Sequence, residues 1–201
     1  AAGVAVLDMD HLLYEAYYHY KRNDSEILMP LVEEALEYSN LTVEQIDLFA
    51  VSSGPGSFTG LRIGISTIKG LAQAVEKPVA AVPTLDALAY NVPYTDALVC
   101  PILDARRDQV YTSIYRREGD GYSRVLPYSA VPVEQLTKEL LAFRQPVLFV
   151  GDGIPAYRKV LSEKMGKSAL FAPPYLANQR ASVIAWLGMR DAIAGKSIDC
   201  R

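Results

Sequence analysis

The chain has 201 residues, of which 50% are hydrophobic and 21% charged, and its formal net charge is −3 at pH 7. This composition is typical of a globular protein with one large domain or two lobes, and the acidic balance argues against a free-standing nucleic-acid binder. No apolar run reaches the ~18 residues of a membrane span, and the first ten residues lack the basic start of a signal peptide. The two cysteines, Cys100 and Cys200, are too few for a disulfide framework, so we expect a reducing cytoplasm.

The first half of the chain alternates strand and helix patterns. It opens on a tyrosine-rich hairpin, with strands over residues 3–8 and 12–20. The next predicted elements are a helix within 23–40, a strand over 48–54, a helix over 59–75, a strand over 78–84 and a short helix over 85–92. Because a hairpin opens the chain, we expect the sheet to begin with an earlier strand that this sequence does not include.

A second series of elements follows a boundary near residues 93–96. Its predicted members are strands over 97–105, 109–118 and 122–131, a helix over 132–143, a strand over 146–153, a helix over 156–164, a short strand over 169–173 and a helix over 180–194. Two such series predict a duplicated α/β architecture, with one lobe over 1–95 and another over 96–201. We expect the last helix to pack back on the first lobe.

The glycine-rich loop SSGPGSFTG separates the strand over 48–54 from the helix that follows it. It is not a P-loop, because Leu61 and Arg62 follow Gly60 where a lysine and a hydroxyl residue are needed. Its glycines are spaced one residue too far apart for a dinucleotide fingerprint, and Ser57 lacks the flanking glycines of a nucleophile elbow. We predict a structural loop, with a sharp turn and a helix cap, formed by Gly54, Pro55, Gly56, Ser57, Thr59 and Gly60.

The helix after this loop is apolar on most of its sides. A stripe of large apolar residues, including Leu61, Ile65 and Ile68, runs beside a stripe of small ones that includes Gly60 and Gly64. Each glycine inside a helix costs roughly 0.5–1 kcal/mol relative to alanine, so the close approach of another helix is the simplest explanation. The pattern leaves open whether that approach occurs in the monomer core or at a partner.

The helix within 23–40 carries a second apolar stripe. We predict that the two helices lie side by side on one face and form an association surface. The residues predicted for this surface are Ile27, Leu28, Leu31, Val32, Leu61, Gly64, Ile65 and Ile68.

Residues suited to metal or nucleophilic chemistry are scarce. The chain has two histidines, His11 and His19, in no metal-binding spacing, and we interpret both as surface or edge-strand residues. Asp104 and Asp152 could bind Mg²⁺ together with phosphates, although Asp152 within GDG is typical of a turn. Asp104, which is followed by Arg106 and Arg107, could orient a loop through a local ion pair or contact a partner. We predict no catalytic residue, no metal ligand and no cofactor-binding residue.

The basic residues of the second lobe form a possible cluster. Arg106, Arg107, Arg116, Arg117 and Arg124 would come close together if their strands form a hairpin, and could then touch a nucleic-acid phosphate. Acidic residues are interspersed among them. We therefore favour a solvated hairpin.

The string SSGPGSFTGLRIGISTIKGLAQAVEKPVAAVPTLDALA resembles the signature region of the TsaB (YeaZ) family, from the bacterial tRNA threonylcarbamoyladenosine system. The segments VCPILDARRDQVYTSIYR, FVGDGIPAYRKVL and QRASVIAWLGM extend the resemblance over nearly the whole chain. The resemblance implies a two-lobed, actin-like α/β fold, shared with sugar kinases and Hsp70, whose usual first strand is absent from this sequence.

The resemblance also implies a role without catalysis. The expected function is a scaffolding and activating subunit that pairs with the catalytic TsaD-type subunit, or with a second copy of itself when alone, and recruits a TsaE-type ATPase. Under this expectation tRNA is reached only indirectly, and the protein works in the cytoplasm without membrane contact. The alternatives are a nucleotide-binding ATPase or kinase-like enzyme of the same fold, and a glycoprotease-like metallopeptidase.

Overall fold

A computed structural model describes residues 2–18 and 24–196, with the backbone alone for 24–26. The chain divides into two compact units, Ala1–Ala87 with Arg180–Arg201, and Leu88–Gln179. This division lies within a short helix, whereas the sequence pattern placed the boundary at residue 95. Across the described residues, no helix combines the length and the apolar character that crossing a bilayer requires.

The elements follow the predicted order. Those described are β1 (Ala2–Asp8), β2 (His11–Tyr18), α1 (Asp24–Tyr38), a 3₁₀ turn (Val43–Gln45), β3 (Phe49–Gly54), α2 (Phe58–Ala74), β4 (Val79–Pro83), α3 (Thr84–Tyr90), β5 (Leu98–Arg106), β6 (Gln109–Glu118), β7 (Gly121–Pro132), α4 (Val133–Ala142), β8 (Val147–Val150), α5 (Ile154–Met165), two 3₁₀ turns (Gly166–Ser168 and Pro174–Leu176) around β9 (Ala169–Phe171), and α6 (Ala181–Ile193). The predicted β-β-α-β-α-β-α order of the first half is confirmed.

The first unit holds two pairs of strands. β1 and β2 form the predicted antiparallel hairpin, and β3 and β4 pair in parallel, with α2 as their connection. The helix α6, from the far end of the chain, packs on β1, β3 and β4. Contact is closest at Gly188, because a Cβ there would lie 2.7 Å from Ala50 Cβ and 3.1 Å from Ala80 Cβ. Glycine is therefore required for this helix to reach the strands.

A carboxylate on β2 caps the start of α6. Ser182 donates its backbone N–H and its hydroxyl to Glu15 Oε1 at 2.9 and 2.7 Å, and Arg180 Nε donates to Glu15 Oε2 at 3.1 Å. Burial raises the pKa of Glu15, but these hydrogen bonds outweigh it and hold the pKa below its usual range. The interaction supplies the cap that the residue preceding α6 does not.

The second unit is built on one five-stranded sheet. Its strand order is β7-β6-β5-β8-β9; the pairs β7–β6 and β6–β5 are antiparallel, and the pairs β5–β8 and β8–β9 are parallel. The central strand β5 is buried continuously from Leu98 to Leu103, as expected for a strand covered on both faces. Its core joins sheet residues such as Phe149 to Leu136 and Leu140 of α4 and Leu161 of α5.

The structure corrects one predicted boundary in this unit. The predicted strand over 146–153 ends at Val150, and the helix predicted from residue 156 begins at Ile154. Gly151, between them, has φ +123°, and a Cβ there would lie 2.2 Å from the carbonyl oxygen of Ile102. Only glycine fits this crowded turn, so the sequence GDG ends the strand and does not continue it.

Candidate protein-interaction surface

Helices α1 and α2 pack side by side within the first unit, as the sequence predicted. On α1, Ile27, Leu28 and Val32 are half-buried, whereas Leu31 is only 9% exposed and belongs to the core of its own unit. The eight residues predicted above define the helix-pair surface. Leu31 is the one among the four on α1 that its own unit buries, so it packs in the core and is not accessible to a partner.

The α2 side of this surface is covered only in part. All residues of α2 are described, and of its seventeen only Ala72 is fully buried. The predicted residues Leu61, Gly64, Ile65 and Ile68 are half-buried. Residues of β3, α1 and β4 contact the helix. Large aliphatic side chains thus keep accessible apolar area that their own unit does not remove from water.

Gly64 has no close contact that explains its presence. A Cβ at this position would meet Val51 Cγ2 at 3.9 Å, which is an ordinary van der Waals distance. The close approach of another helix that the sequence suggested for Gly64 does not occur within the described residues; the glycine with the closest packing on a helix of this unit is Gly188 of α6, which lies against strands. Since glycine in a helix costs roughly 0.5–1 kcal/mol, the first unit alone gives no structural reason for it at position 64.

The glycine-rich loop positions the start of α2. Gly54 has φ +104°, and Ser57 caps the helix by accepting the Gly60 N–H at 3.3 Å. The Leu61 side chain fills the turn, because its Cδ1 would lie 3.2 Å from a Cβ on Gly54. Thr59, the other predicted cap, lies in the first turn of the helix with its side chain exposed.

The groups that nucleophilic or metal chemistry would use are dispersed. His11 is exposed at the start of β2, while His19 and Cys200 lie outside the described residues. Burial raises the pKa of the Cys100 thiol to about 12, so at neutral pH it is a thiol beside Thr112 and not a nucleophile. Within 2–18 and 24–196, no three or more His, Cys, Asp and Glu residues gather as a metal would require.

Asp104 orients a loop, one of the two roles that the sequence left open. Its Oδ1 accepts the backbone N–H of Arg106 at 2.8 Å and lies 3.1 Å from the hydroxyl of Tyr157. Asp152 lies in the turn after β8, as predicted, where partial burial and the nearby charge of Asp104 raise its pKa. Sequence analysis missed Tyr157 because its position on the buried face of α5 is indistinguishable from that of a core residue.

The five arginines of the second unit that the sequence singled out do not form one cluster, so the alternative that the sequence analysis did not favour does not occur. The hairpins form, but Arg106 and Arg107 follow β5 at one end of β6, and Arg116 and Arg117 lie at the other end. Gln109, which pairs with Arg106, and Arg116 are seven residue steps apart on β6, which correspond to roughly 23 Å. Arg124, which pairs with Tyr115, lies with the second group.

Known proteins match this chain over almost its whole length. A family model described as "TsaD: tRNA N6-adenosine threonylcarbamoyltransferase" matches residues 16–195. A tRNA threonylcarbamoyladenosine biosynthesis protein TsaB from Bacillus subtilis is 33% identical over 186 residues, which cover 92% of this chain and 81% of that protein. A tRNA N6-adenosine threonylcarbamoyltransferase from Rhizobium leguminosarum is 41% identical, but over 39% of this chain and 21% of that enzyme.

The structural likeness is equally extensive. YeaZ from Pseudomonas aeruginosa superposes with a TM-score of 0.81 and 25% identity, covering 98% of this chain and 90% of that one. Two α/β units with this likeness define a protein of the actin-like class, as the sequence resemblance implied. The chain belongs to the TsaB family of tRNA threonylcarbamoyladenosine biosynthesis proteins, within the wider family that the TsaD model describes.

Proposed function

We propose that this protein is a non-catalytic subunit of the cytoplasmic complex that makes threonylcarbamoyladenosine next to the anticodon of tRNA. It binds the catalytic TsaD-type subunit through the helix-pair surface, and forms a homodimer through the same surface when that subunit is absent. The pair then recruits a TsaE-type ATPase. Family membership supports the pathway, and the incompletely covered helices support the mode of action.

The observation that carries the proposal is the exposure of α2. A helix that is apolar on most sides is normally buried on several of them, yet α2 buries one residue of seventeen in its own unit. Covering Leu61, Ile65 and Ile68 with a partner helix would stabilise association by about 25 cal/mol per Å² of apolar area, before the costs of ordering.

Gly64 gives the partner a point of close approach. The only atom outside α2 within 4 Å of a Cβ at this position is Val51 Cγ2, at 3.9 Å, so the first unit leaves room at Gly64. Small residues at a helix crossing let the two backbones approach, which increases the contact between the flanking aliphatic side chains. A large residue at position 64 would hold the helices apart.

The paired variants Gly64→Leu and Gly70→Leu test this mode of binding. Both substitutions lie in α2, and no described atom lies within 4 Å of a Cβ on Gly70. We expect Gly64→Leu to remain folded and to lose binding to the TsaD-type subunit by about tenfold or more, whereas Gly70→Leu retains binding. Equal binding by both variants, measured by calorimetry and gel filtration, would contradict the proposed surface.

Reconstitution tests the function itself. Purified TsaD-type subunit, TsaE-type ATPase, threonylcarbamoyl-adenylate and tRNA are assayed for modified adenosine with and without this protein. We expect product only when it is present, and much less with Gly64→Leu. Full modification in its absence, or turnover of a substrate by this protein alone, would overturn the proposal.

A further inference from the structure

The turn between β5 and β6 carries side chains that its backbone does not favour. Arg106 pairs with Gln109, so Arg107 and Asp108 form a two-residue hairpin turn. Arg106, Arg107 and Asp108 have φ values of 65°, 52° and 59°. Hairpin turns with two left-handed residues prefer Asn-Gly or Gly-Gly, and arginine is poorly suited to either position. Such a departure from local preference is expected where a side chain has a function.

Hydrogen bonds from neighbouring elements hold this turn in one conformation. Asp104 Oδ1 accepts the Arg106 N–H at 2.8 Å, and the carbonyl of Asp108 accepts the Val133 N–H at 3.2 Å. The Tyr157 hydroxyl lies within hydrogen-bond distance of both Asp104 Oδ1 and the Gln109 carbonyl, at 3.1 and 3.2 Å. The turn is thus fixed from β5, α4 and α5, which lowers the entropy lost when it binds a partner.

The two arginine side chains of the turn are exposed and have no ion-pair or ring partner among residues 2–18 and 24–196. Other arginines of the same unit are engaged within the chain. Arg117 lies over the Tyr94 ring at 4.5 Å, and Arg158 lies over Phe171 at 4.5 Å. A rigid turn therefore presents two adjacent guanidinium groups to the exterior.

We propose that Arg106 and Arg107 bind carboxylates on a second protein partner, distinct from the subunit received by α1 and α2. The guanidinium fork matches a carboxylate with two parallel hydrogen bonds, and arginine is enriched at the centres of protein interfaces. Asp108 lies in the turn and Asp104 precedes it, with Asp152 nearby, so this surface has mixed charge and does not suit the continuous negative charge of an RNA backbone. Against a protein they can instead pair with the partner's basic residues and fix its orientation.

This inference rests on the proposed function, whose third component is the candidate for this partner. The helix-pair surface lies in the first unit, whereas Arg106 and Arg107 lie in the second. The TsaE-type ATPase, added to a preformed pair of this protein with the TsaD-type subunit, is therefore the probe.

The double variant Arg106→Ala/Arg107→Ala is compared with Arg116→Ala/Arg144→Ala. The control removes the same charge from exposed positions of the same unit, and Arg144 also has a positive φ of 53°. We expect the first variant to bind the ATPase about tenfold more weakly or worse, with pair formation unchanged, and the control to bind normally. Unchanged ATPase binding by the first variant, or an equal loss in the control, would overturn the proposal.

Two further variants separate carboxylate recognition from its alternatives. Arg106→Lys/Arg107→Lys keeps the charge but lacks the fork, so we expect it to lose most of the ATPase binding; full retention would overturn the carboxylate assignment. A loss confined to tRNA binding, with a steep salt dependence, would show an RNA contact and also overturn it.

Arg107→Gly suits the left-handed turn, so we expect its Tm to be no lower than that of the parent protein. A lower Tm would show that this arginine serves the fold.

The two proposals fail in different ways. Gly64→Leu could fail to bind the TsaD-type subunit while the turn variants still bind the ATPase normally. That result would retain the proposed function and exclude this inference. Gly64→Leu could instead bind the TsaD-type subunit normally while Arg106→Ala/Arg107→Ala loses ATPase binding. That result would exclude the helix-pair surface and support this inference.

Discussion

The two units of this chain cover their helices to different extents. In the second unit, the ten-residue α4 and the twelve-residue α5 each bury four residues, and both pack on one five-stranded sheet. In the first unit, the seventeen-residue α2 and the thirteen-residue α6 each bury one. The first unit contains the longer helices and pairs of strands in place of a continuous sheet, so it has less internal surface on which to pack them.

This difference separates a unit that buries the inner faces of its helices from one that leaves apolar helix surface accessible. Buried residues of α4 such as Leu136 and Leu140 are 1% and 0% exposed, so they contribute only to the stability of the fold. The half-buried Leu61 and Ile65 of α2 can still contribute to association. The following substitutions test whether the two units differ in this way.

The largest effect is expected in the core of the second unit. Phe149 is fully buried and stacks on Phe171 with ring centroids 5.7 Å apart. We expect Phe149→Ala to lower the free energy of unfolding by about 3–5 kcal/mol, because it leaves a cavity that the sheet cannot fill. Urea denaturation measures the loss.

The matched substitution in the first unit is Ile65→Ala, at a half-buried position of α2. We expect it to lower the free energy of unfolding by about 1 kcal/mol and to weaken binding to the TsaD-type subunit. If Ile65→Ala destabilised the protein as much as Phe149→Ala, the two units would not differ as described.

A loss of stability between those of Phe149→Ala and Ile65→Ala is expected where α6 meets the strands of the first unit. Gly188→Ala would place a Cβ 2.7 Å from Ala50 Cβ and 3.1 Å from Ala80 Cβ. We expect a destabilisation of about 1–3 kcal/mol, since both neighbours are short side chains attached directly to the backbone. A thermal melt with an unchanged Tm would show that α6 is free to move away from the strands.

The cap of α6 predicts a pH dependence for the first unit. The pKa of Glu15 is lowered in the folded state, so its stabilisation is fully present above its unfolded pKa of ~4.3 and is lost as pH falls through the folded value. Glu15→Gln should lower stability by about 1–2 kcal/mol at pH 7 and abolish this part of the acid dependence.

Thermal unfolding of both proteins between pH 3 and pH 7 measures this effect. Their difference in stability should shrink as pH falls. A difference that stays constant over that range would mean that the charge of Glu15 does not hold α6 in place.

The smallest expected effect is a gain. Gly70 lies in α2, and a Cβ added to it would have no described atom within 4 Å. Gly70→Ala should therefore raise stability by roughly 0.5–1 kcal/mol through helix propensity alone. A loss of stability, measured by the same urea denaturation, would indicate that other atoms lie closer to position 70 of α2 than the structure places them.

Much of the fold could be predicted from local sequence patterns. The strand before the glycine-rich loop, the helix after it and the cap at Ser57 depend on residues close together in the chain, so periodicity and capping rules are sufficient. The end of β8 was predicted three residues too late, because the crowding at Gly151 comes from Ile102 on another strand.

The candidate surface was predictable only in outline. The stripes on α1 and α2 identified which residues are apolar, but not that Leu31 is buried while Ile65 is half-covered. The sequence left open whether the five arginines lie close together, because a hairpin pattern does not show which residues share an end of it.

The sequence by itself determined the order of strands and helices, the family and the apolar stripes of α1 and α2, because these depend on side-chain type and on spacing along the chain. Tertiary structure alone decided that Gly188, and not Gly64, is the glycine against which strands are packed, and that Glu15 caps a helix 167 residues further along the chain. Both depend on contacts between distant segments, whose distances no local pattern encodes.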